Sequence, residues 1–370
     1  MKHWHIFGAI VMGACVAAVG VGRPAGAAES DVAKAFAAEC AAKAAVAERA
    51  SAMAVAGREG WLFPVAELRH LAAGKFWGDA AAKALRAAKA EFADPLPAIL
   101  DFKAQLDKAG IELVVVPVPG KSTIYPDMLS AAVTVAPGAA PPRVDAADQE
   151  FMEVLRGAGV KVVDLVPEFL AHRSDKEGPL FCKTDSHWSG YGCVVAARQI
   201  AAEIKDRPWL VAVPKISVVG VWRTADVAGD LAAPAGGKEP PPERVTIRFV
   251  GEKTGDDPET IEPSRVNPVV LLGDSSNLVF HAGGDMHAVG AGLADQLTSE
   301  LGFAMDLVAV QGSGATSARF NLMRRSTSAP NYLKAKRLII WCFVARDFTE
   351  SQEWKKVPIA KEPKAANAKG

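Results

Sequence analysis

Two short segments contain the side chains best suited to chemistry. Residues 184–189 read Thr-Asp-Ser-His-Trp-Ser, and residues 272–276 read Leu-Gly-Asp-Ser-Ser. Together they provide Ser275, His187 and Asp185. In such a set the imidazole takes the serine proton, and the carboxylate orients the imidazole and stabilises its charged form. The sequence therefore predicts a hydroxyl activated for acyl transfer, with serine as nucleophile, histidine as base and aspartate as its partner.

The serine and the Asp–His pair each have a competing interpretation. Gly-Asp-Ser alone is a weak motif, because short motifs recur by chance in long chains and a serine after a strand often caps a helix. Asp185 and His187 also resemble one corner of a metal site, but no third ligand stands at a suitable spacing. A one-residue gap in extended backbone puts both side chains on the same side, which favours contact within the pair. No metal and no cofactor are predicted.

A second group of residues is expected to surround the nucleophile. A serine at a strand-to-helix turn lies where backbone N–H groups face a developing oxyanion. Glycines can add N–H groups to such a site, an arginine can orient a carboxylate or the acyl group, and a tryptophan can pack beside the site or stack on a sugar ring. The predicted oxyanion or substrate-lining residues are Ser276, Gly312, Gly314, Arg346 and Trp188. Turn formation by the two glycines and a surface salt bridge of Arg346 are the alternatives.

Continuous apolar runs predict the strands that position these residues. The runs are Ile111–Pro117, Val160–Leu165, Val269–Leu272, Met305–Val310 and Leu338–Phe343. Helical patterns lie between them at Val144–Arg156, Gly190–Ile204, Ala288–Leu301 and Ala315–Arg325. This alternation predicts a doubly wound parallel sheet, whose site lies at the carboxyl ends of the strands. Gly273–Ser275, Gln311–Gly314 and Arg346 each follow a strand, and Lys121 and Tyr125 follow another and are expected to line the cleft.

The remaining segments define the predicted domain organisation. Residues 29–350 are expected to form one α/β domain, in which about 209–263 is a small β insertion rich in Val, Pro and Gly. Residues 351–370 are predicted to be a disordered tail, because the chain end is rich in Lys, Ala and Pro. The 370-residue chain has 42 basic and 42 acidic residues. No basic stripe is present, so nucleic acid is not a predicted partner.

The first 28 residues have the pattern of an export signal. Lys2 precedes an apolar stretch over 6–21, and small residues follow around Ala27 and Ala28, where cleavage is predicted. An uncleaved membrane anchor is the alternative. Export would leave Cys40, Cys182, Cys193 and Cys342 in an oxidising compartment. Cys182 and Cys193 flank the Asp-x-His segment, so a disulfide between them is predicted, with four buried thiols as the alternative.

The motifs and their order resemble a known family. Gly57–Phe63 (GREGWLF), Val116–Pro126 (VPVPGKSTIYP), Asp185–Trp188 (DSHW), Gly273–Ser275 (GDS) and Ile340–Arg346 (IWCFVAR) occur in the order seen in AlgX/AlgJ-type alginate O-acetyltransferases. In ordinary GDS-type esterases the serine block comes first and the Asp-x-x-His block comes near the end. Here the Asp-x-His pair precedes the serine, which resembles the inverted SGNH-hydrolase-like domain of that family.

The resemblance implies a function and a setting. It implies that Asp185, His187 and Ser275 form the triad of a periplasmic enzyme that acetylates an exopolysaccharide through an acetyl-serine intermediate. It also implies a membrane-bound O-acyltransferase that supplies acetyl groups, and assembly proteins of the polysaccharide as partners. Too little chain follows Phe348 for a C-terminal carbohydrate-binding module, so the single-domain AlgJ kind is expected. A carbohydrate acetylesterase with the same triad and a non-catalytic glycan-binding component are the alternatives.

Overall fold

Ten strands and twelve α-helices form the part of the chain that the structure describes. The computed structural model describes Met1 and residues 25–84, 86–136, 138–232, 241–253, 258–312, 314–329 and 331–360. The strands are β1 (Ala54–Ala56), β2 (Leu62–Pro64), β3 (Glu112–Val118), β4 (Lys161–Val162), β5 (Val218–Val227), β6 (Glu243–Glu252), β7 (Glu259–Thr260), β8 (Val269–Gly273), β9 (Asp306–Ala309) and β10 (Leu338–Val344). The helices are α1 (Ala25–Arg49), α2 (Val65–Ala72), α3 (Ala81–Ala84), α4 (Pro95–Lys108), α5 (Lys121–Ile124), α6 (Pro126–Leu129), α7 (Ala146–Gly157), α8 (Val166–His172), α9 (Gly190–Ile204), α10 (Leu293–Leu301), α11 (Ala315–Ser328) and α12 (Asp347–Glu350).

A five-stranded parallel sheet lies at the centre of the fold. Its order is β4-β3-β10-β8-β9, and every neighbouring pair runs parallel. In the register, Trp341 of β10 lies between Val115 of β3 and Leu272 of β8. The central strands are almost wholly buried, as continuous β-branched runs predict. The predicted α/β class with a parallel sheet is confirmed.

Helices cover both faces of this sheet. Side chains alternate along a strand, so Val114 and Val116 of β3 point to one face and Val115 points to the other. The first face packs against apolar residues of α1, α9 and α10, and the second packs against α4, α7 and α11. The loops at the carboxyl ends of the strands are therefore held between two packed layers.

The segment 209–263 contributes a separate antiparallel sheet of β5, β6 and β7. Val245, Ile247 and Val250 of β6 are buried. The sheet approaches α9 closely, because a Cβ atom at Gly190 would lie 2.6 Å from Cγ2 of Ile247. The chain leaving β5 runs directly to Gly229 and Asp230, beside the Asp185–His187 segment.

Most of the predicted leader, residues 2–24, lies outside the described residues, and α1 begins at Ala25. Among the described helices, none is both long enough and apolar enough to cross a membrane.

The prediction of a disordered tail is wrong for residues 351–360. Trp354 is buried, stacks on Phe348, and donates a 3.1 Å hydrogen bond from Nε1 to the Asp347 carbonyl. Ile359 N–H donates to Oε1 of Gln105 at 2.8 Å. The composition of the segment is rich in lysine, but burial of the single Trp354 side chain holds it against the domain. Residues 361–370 lie outside the described part of the chain.

Candidate active site

Four strand ends and one long loop converge at the carboxyl edge of the sheet. Ser275 follows β8, Gly312 follows β9, Arg346 follows β10 and Lys121 follows β3. Parallel strands bring their carboxyl ends to the same edge, so these residues are neighbours although they are far apart in sequence. The Asp185–His187 segment enters the same edge just before α9, whose N-cap is Ser189.

Ser275 begins a short 3₁₀ helix, Ser275–Asn277, directly after β8. Asp274 holds this turn, because its carboxylate accepts hydrogen bonds from Ser276 N–H at 2.9 Å and Val344 N–H at 2.8 Å. The residue before it must be glycine, since a Cβ atom at Gly273 would lie 1.7 Å from the Cys342 carbonyl oxygen. The Gly-Asp-Ser motif thus fixes the serine relative to β10.

The three predicted catalytic side chains form one hydrogen-bonded chain. Nε2 of His187 lies 2.8 Å from Oγ of Ser275, and Nδ1 of His187 lies 2.7 Å from Oδ1 of Asp185. This geometry suits proton transfer from the hydroxyl to the imidazole, with the carboxylate fixing the tautomer. Burial acts to raise the pKa of Asp185, but hydrogen bonds from His187 and His287 outweigh it and hold that pKa well below its usual range.

Backbone pairing and one tryptophan hold the Asp–His loop. Phe181 and Trp188 form an antiparallel bridge, and Ser189 N–H donates to the Leu180 carbonyl at 2.8 Å. Nε1 of Trp188 donates to the Ser276 carbonyl at 3.0 Å, which ties the histidine loop to the serine turn.

The predicted disulfide between Cys182 and Cys193 is not formed. Both residues are buried free thiols, and Sγ of Cys182 lies 3.8 Å from the Trp188 carbonyl oxygen. Burial raises the pKa of both thiols. The backbone pairing already closes the loop that the disulfide was expected to clamp.

Lys121 is buried beneath the Asp185–His187 loop, which it holds by hydrogen bonds, and does not line the cavities. Its side chain is fully buried, and Nζ donates hydrogen bonds to three carbonyls: Asp185 at 2.6 Å, Leu62 at 2.9 Å and Lys183 at 3.1 Å. Burial lowers the pKa of this ammonium group. The expectation that Lys121 and Tyr125 line the cleft is wrong, since the Tyr125 hydroxyl is also buried, between the Arg173 carbonyl and Leu180 N–H.

Replacing Lys121 with methionine should destabilise the fold and loosen the catalytic loop. The carbonyls of Asp185 and Leu62 would lose the ammonium donor, while the carbonyl of Lys183 keeps the hydrogen bond from Leu62 N–H at 2.8 Å, and we expect the free energy of unfolding to fall by about 2–4 kcal/mol. Lys183→Met is the matched control, because Nζ of Lys183 lies over the same Trp61 ring as Nζ of Lys121, at 5.8 and 5.9 Å, but makes a single exposed hydrogen bond, to the Glu59 carbonyl, whose loss should change little. Urea unfolding of the two variants measures the difference, and equal stabilities would contradict this role.

Two groups at the site were missed by sequence analysis. Nε2 of His287 lies 3.0 Å from Oδ2 of Asp185, and Asp230 N–H donates to the same oxygen at 3.2 Å. Asp185 therefore contacts two imidazoles, one through each oxygen. No local pattern marks His287 in the sequence, because its partner lies 102 residues away.

Two cavities meet at Ser275. One, of about 560 Å³, is lined by Asp274, Gly314, Thr316, Phe320 and residues of α12. The other, of about 550 Å³, is lined by Asp185, His187, Asp230, Met286 and His287. Ser275, Gly312 and Arg346 line both. The nucleophile can therefore be approached from two sides.

The structure divides the predicted lining residues into two groups. Gly312, Gly314 and Arg346 line the cavities. Ser276 and Trp188 do not: they are 2% and 1% exposed, and they contact each other through the Trp188 indole N–H. Stacking of Trp188 on a sugar is excluded by this burial. Arg346 also donates to Oε1 of the buried Glu67 at 3.4 Å.

Asp185, His187 and Asp230 have possible metal-ligand atoms within 4.8 Å of one another. These atoms already serve in hydrogen bonds. Asp185 accepts from both histidines, and the Asp230 carboxylate accepts from Ser186 N–H and Oγ, both at 2.6 Å. A cation here would have to displace the contacts that orient His187, so the donor set fits a triad better than a metal centre.

Asp347, which lines the cavity of about 560 Å³, provides a pH-dependent contribution to stability. Burial, and then the charge of Asp274, raise the pKa of Asp347 to about 7. The folded protein therefore keeps a proton that the unfolded chain releases near pH 4, and this stabilisation is lost as the pH rises through about 7.

An Asp347→Asn variant should remove this pH dependence. Its amide oxygen can still accept from Ala315 N–H, which donates to Asp347 at 2.9 Å. At about pH 8 the variant should be more stable than the wild type by roughly 1–3 kcal/mol, with no such gain near pH 4. Thermal or urea unfolding across this range checks the prediction, and a gain that is the same at both pH values would contradict it.

Comparison with known proteins identifies the family. The family described as "SGNH hydrolase-like domain, acetyltransferase AlgX" matches residues 54–345, most of the chain. The chain belongs to this family. Proteins with related sequences include several named probable alginate O-acetylase AlgJ. The one from Pseudomonas syringae pv. tomato is 33% identical over 141 residues, 38% of this chain and 34% of its own length. The one from Pseudomonas fluorescens is 28% identical over 257 residues, 66% of this chain and 59% of its own length.

Two solved structures share the fold. The O-acetyltransferase domain of Pseudomonas putida AlgJ matches with a TM-score of 0.58 and 22% identity, over 80% of this chain and 91% of that one. Pseudomonas aeruginosa AlgX matches with a TM-score of 0.55 and 20% identity, over 79% and 62%. The chain thus has the SGNH-like fold of the AlgX family. The segments matched in sequence span only about a third of the first curated relatives.

Proposed function

We propose that this protein is a periplasmic O-acetyltransferase that moves acetyl groups onto hydroxyls of an exopolysaccharide. The observation that carries the proposal is the continuous contact from Ser275 Oγ through His187 to Asp185, at 2.8 and 2.7 Å. A buried carboxylate, an oriented imidazole and a cavity-lining hydroxyl are the parts that serine acyl transfer requires. Membership of an acetyltransferase family supports the choice of acetyl as the transferred group.

The reaction would proceed by double displacement. Nε2 of His187 accepts the Ser275 proton as Oγ attacks the carbonyl carbon of the acetyl donor. The tetrahedral intermediate collapses, the leaving oxygen takes the proton from His187, and acetyl-serine remains. His187 then removes a proton from the acceptor hydroxyl, whose oxygen attacks the acetyl-serine. Collapse of the second intermediate returns the proton to Oγ, so Ser275 is regenerated and the acceptor carries the acetyl ester.

Two backbone N–H groups are suited to hold the oxyanion. Ser275 N–H lies at the start of the 3₁₀ turn, and Gly312 lies across the cavity with φ of 65°. Within the described residues, neither N–H has an acceptor among the hydrogen bonds formed. Free N–H groups aimed at the developing charge stabilise it most when they need no rearrangement.

The two cavities at Ser275 favour transfer over hydrolysis. A transferase must bind a donor and an acceptor to the same nucleophile, and each cavity reaches Ser275 from its own side. The His187 side holds the base that must take the acceptor's proton. The donor's leaving oxygen takes its proton from the same imidazole, so we propose that the acceptor hydroxyl occupies the position that this oxygen vacates, in the cavity beside His187 and Asp230, and that the transferred acetyl group lies toward the other cavity.

The setting is proposed from the relatives and the sequence pattern. The relatives are named as alginate O-acetylases, so alginate or a related exopolysaccharide is the proposed acceptor. The leader pattern supports export to the periplasm. A membrane-bound O-acyltransferase is the proposed source of acetyl groups, with polysaccharide assembly proteins as further partners.

A transfer assay tests the proposal. Purified protein is incubated with an activated acetyl ester, with and without mannuronate oligosaccharides, and the sugars are analysed by mass spectrometry. Acetylated sugar that forms with the wild type and not with Ser275→Ala is the expected result. Release of acetate alone, unchanged across uronate, neutral and amino-sugar acceptors, would indicate an esterase. Absence of any Ser275-dependent turnover would contradict an acyl-transfer role.

A further inference from the structure

His287 lies in a loop whose backbone is unusually constrained. Residues 280–291 fold back on themselves, with an antiparallel bridge between Ala282 and Val289 and a hydrogen bond from Ala291 N–H to the Phe280 carbonyl at 2.7 Å. A 3₁₀ turn, Gly284–Met286, immediately precedes the histidine. This tight loop replaces the beginning of the helix predicted at Ala288–Leu301, and α10 starts only at Leu293.

The backbone of His287 itself is in a strained conformation. Its φ is 71° and its ψ is −52°, and Ala288 N–H donates to the Met286 carbonyl at 2.9 Å across it. This is the γ-turn with positive φ, which is rare and costly for a residue with a side chain. Glycine would avoid the cost, so a histidine here indicates that its ring has a function.

The ring is directed at the triad carboxylate. Only 9% of the His287 side chain is exposed, and Nε2 lies 3.0 Å from Oδ2 of Asp185, whose own side chain is 2% exposed. An ionised carboxylate can only accept hydrogen bonds, so Nε2 of His287 carries a hydrogen and is the donor. His187 occupies Oδ1, and the two imidazoles approach Asp185 from different loops.

We propose that His287 is a positioning residue that orients the Asp185 carboxylate and, through it, His187. The inference rests on the proposed function, because it assigns His287 to the same reaction. A carboxylate free to rotate about its own axis would present either oxygen to His187. With Oδ2 held by His287 and by Asp230 N–H, Oδ1 is the oxygen left for His187.

Other charged groups near Asp185 do not replace this contact. Lys121 reaches only its carbonyl oxygen, and Glu243 accepts from Lys183 and Thr184 N–H. The Asp230 carboxylate is directed at Ser186. Among the described side chains that contact the Asp185 carboxylate, the donors are His187 and His287.

The test compares His287→Ala, His287→Gln and His287→Gly with the wild type. We expect His287→Ala to lower kcat roughly 10–100-fold, the size seen when a second partner of a functional group is removed, with KM little changed. Glutamine places an amide N–H near the position of Nε2 and should recover much of kcat. Glycine accepts the positive φ, so His287→Gly should be at least as heat-stable as His287→Ala while losing the same activity.

A second measurement reads the contact between Asp185 and His187 directly. In protein with ¹⁵N-labelled histidine, the His187 Nδ1–H proton, which Oδ1 of Asp185 accepts across 2.7 Å, should give a slowly exchanging downfield NMR resonance in the wild type. This resonance should weaken or shift in His287→Ala, because the accepting carboxylate is no longer held. His281→Ala is the matched control: His281 lies in the same loop, and its Nδ1 contacts Asp295 at 2.9 Å, away from Asp185. This control should leave the His187 Nδ1–H resonance and kcat unchanged.

The outcomes separate this inference from the proposed function. Wild-type kcat in His287→Ala, or a lost kcat with an unchanged His187 Nδ1–H resonance and no recovery by glutamine, would overturn the positioning role. If the wild type itself lacks Ser275-dependent turnover, the proposed function fails. The NMR measurement then decides alone, because it needs no substrate: an unchanged His187 Nδ1–H resonance overturns the inference and a weakened or shifted one supports it.

Discussion

Replacing Ser275 with alanine should abolish both acetyl transfer to a glycan and release of acetate from an activated ester. The variant keeps the cavities and His187 but has no oxygen to form the acetyl-enzyme, so we expect a fall in kcat of about 10⁵-fold or more. The measurement is steady-state turnover of a nitrophenyl acetate, followed by mass analysis of acceptor sugars.

Ser276→Ala is the matched control for this experiment. Ser276 is the next residue in the chain, but its side chain is buried and its backbone makes the contacts that matter, to Asp274 and Trp188. We expect its activity to stay within a few-fold of the wild type. A larger loss of activity in Ser276→Ala than in Ser275→Ala would show that Ser275 is not the nucleophile.

Replacing Asp185 with asparagine should have the second-largest effect. The amide cannot accept from both His187 and His287, and one of the two imidazoles would face an NH₂ group. His187 would then lose the partner that fixes its tautomer and stabilises its charge, and kcat should fall by roughly 10³–10⁴-fold. Turnover of the activated ester measures the loss, after correction for the fraction of folded protein, which circular dichroism gives.

Asp230→Asn tests whether the effect depends on position. Asp230 lies beside Asp185 and lines the same cavity, but its carboxylate contacts Ser186 and not the imidazoles. Asparagine can still accept there, so we expect at most a few-fold change. Equal losses in the two variants would show that general negative charge, and not a directed carboxylate, supports His187.

Local sequence patterns predicted the central sheet well. β3, β8 and β10 are continuous apolar runs, and such runs are stable only when both faces of a strand are covered. Once parallel pairing is inferred, the carboxyl ends of the strands must share an edge. For this reason Ser275, Gly312 and Arg346 could be placed near one another from the sequence alone.

The features that sequence analysis missed depend on contacts between distant segments. His287 has no local partner, and its strained φ reflects the shape of its loop rather than its neighbours in sequence. Lys121 is buried because three carbonyls from separate segments meet its ammonium group. The packing of residues 351–360 depends on one aromatic cluster around Trp354, which an average composition hides.

The cysteines show the limit of spacing arguments. Cys182 and Cys193 flank the Asp-x-His loop as a disulfide would require, yet backbone pairing closes that loop. Spacing specifies which pairs can meet, whereas the directions of the side chains decide whether they bond.

Direct detection of an acetylated Ser275 tests the central claim most directly. Wild-type protein and Ser275→Ala would be mixed with an activated acetyl ester, quenched in acid within the first turnovers, and analysed by intact mass and peptide mapping. The account predicts one added acetyl group on the wild type, located at Ser275, which disappears when an acceptor sugar is added before the quench. Acetylation at another residue, or equal labelling of Ser275→Ala, would contradict it.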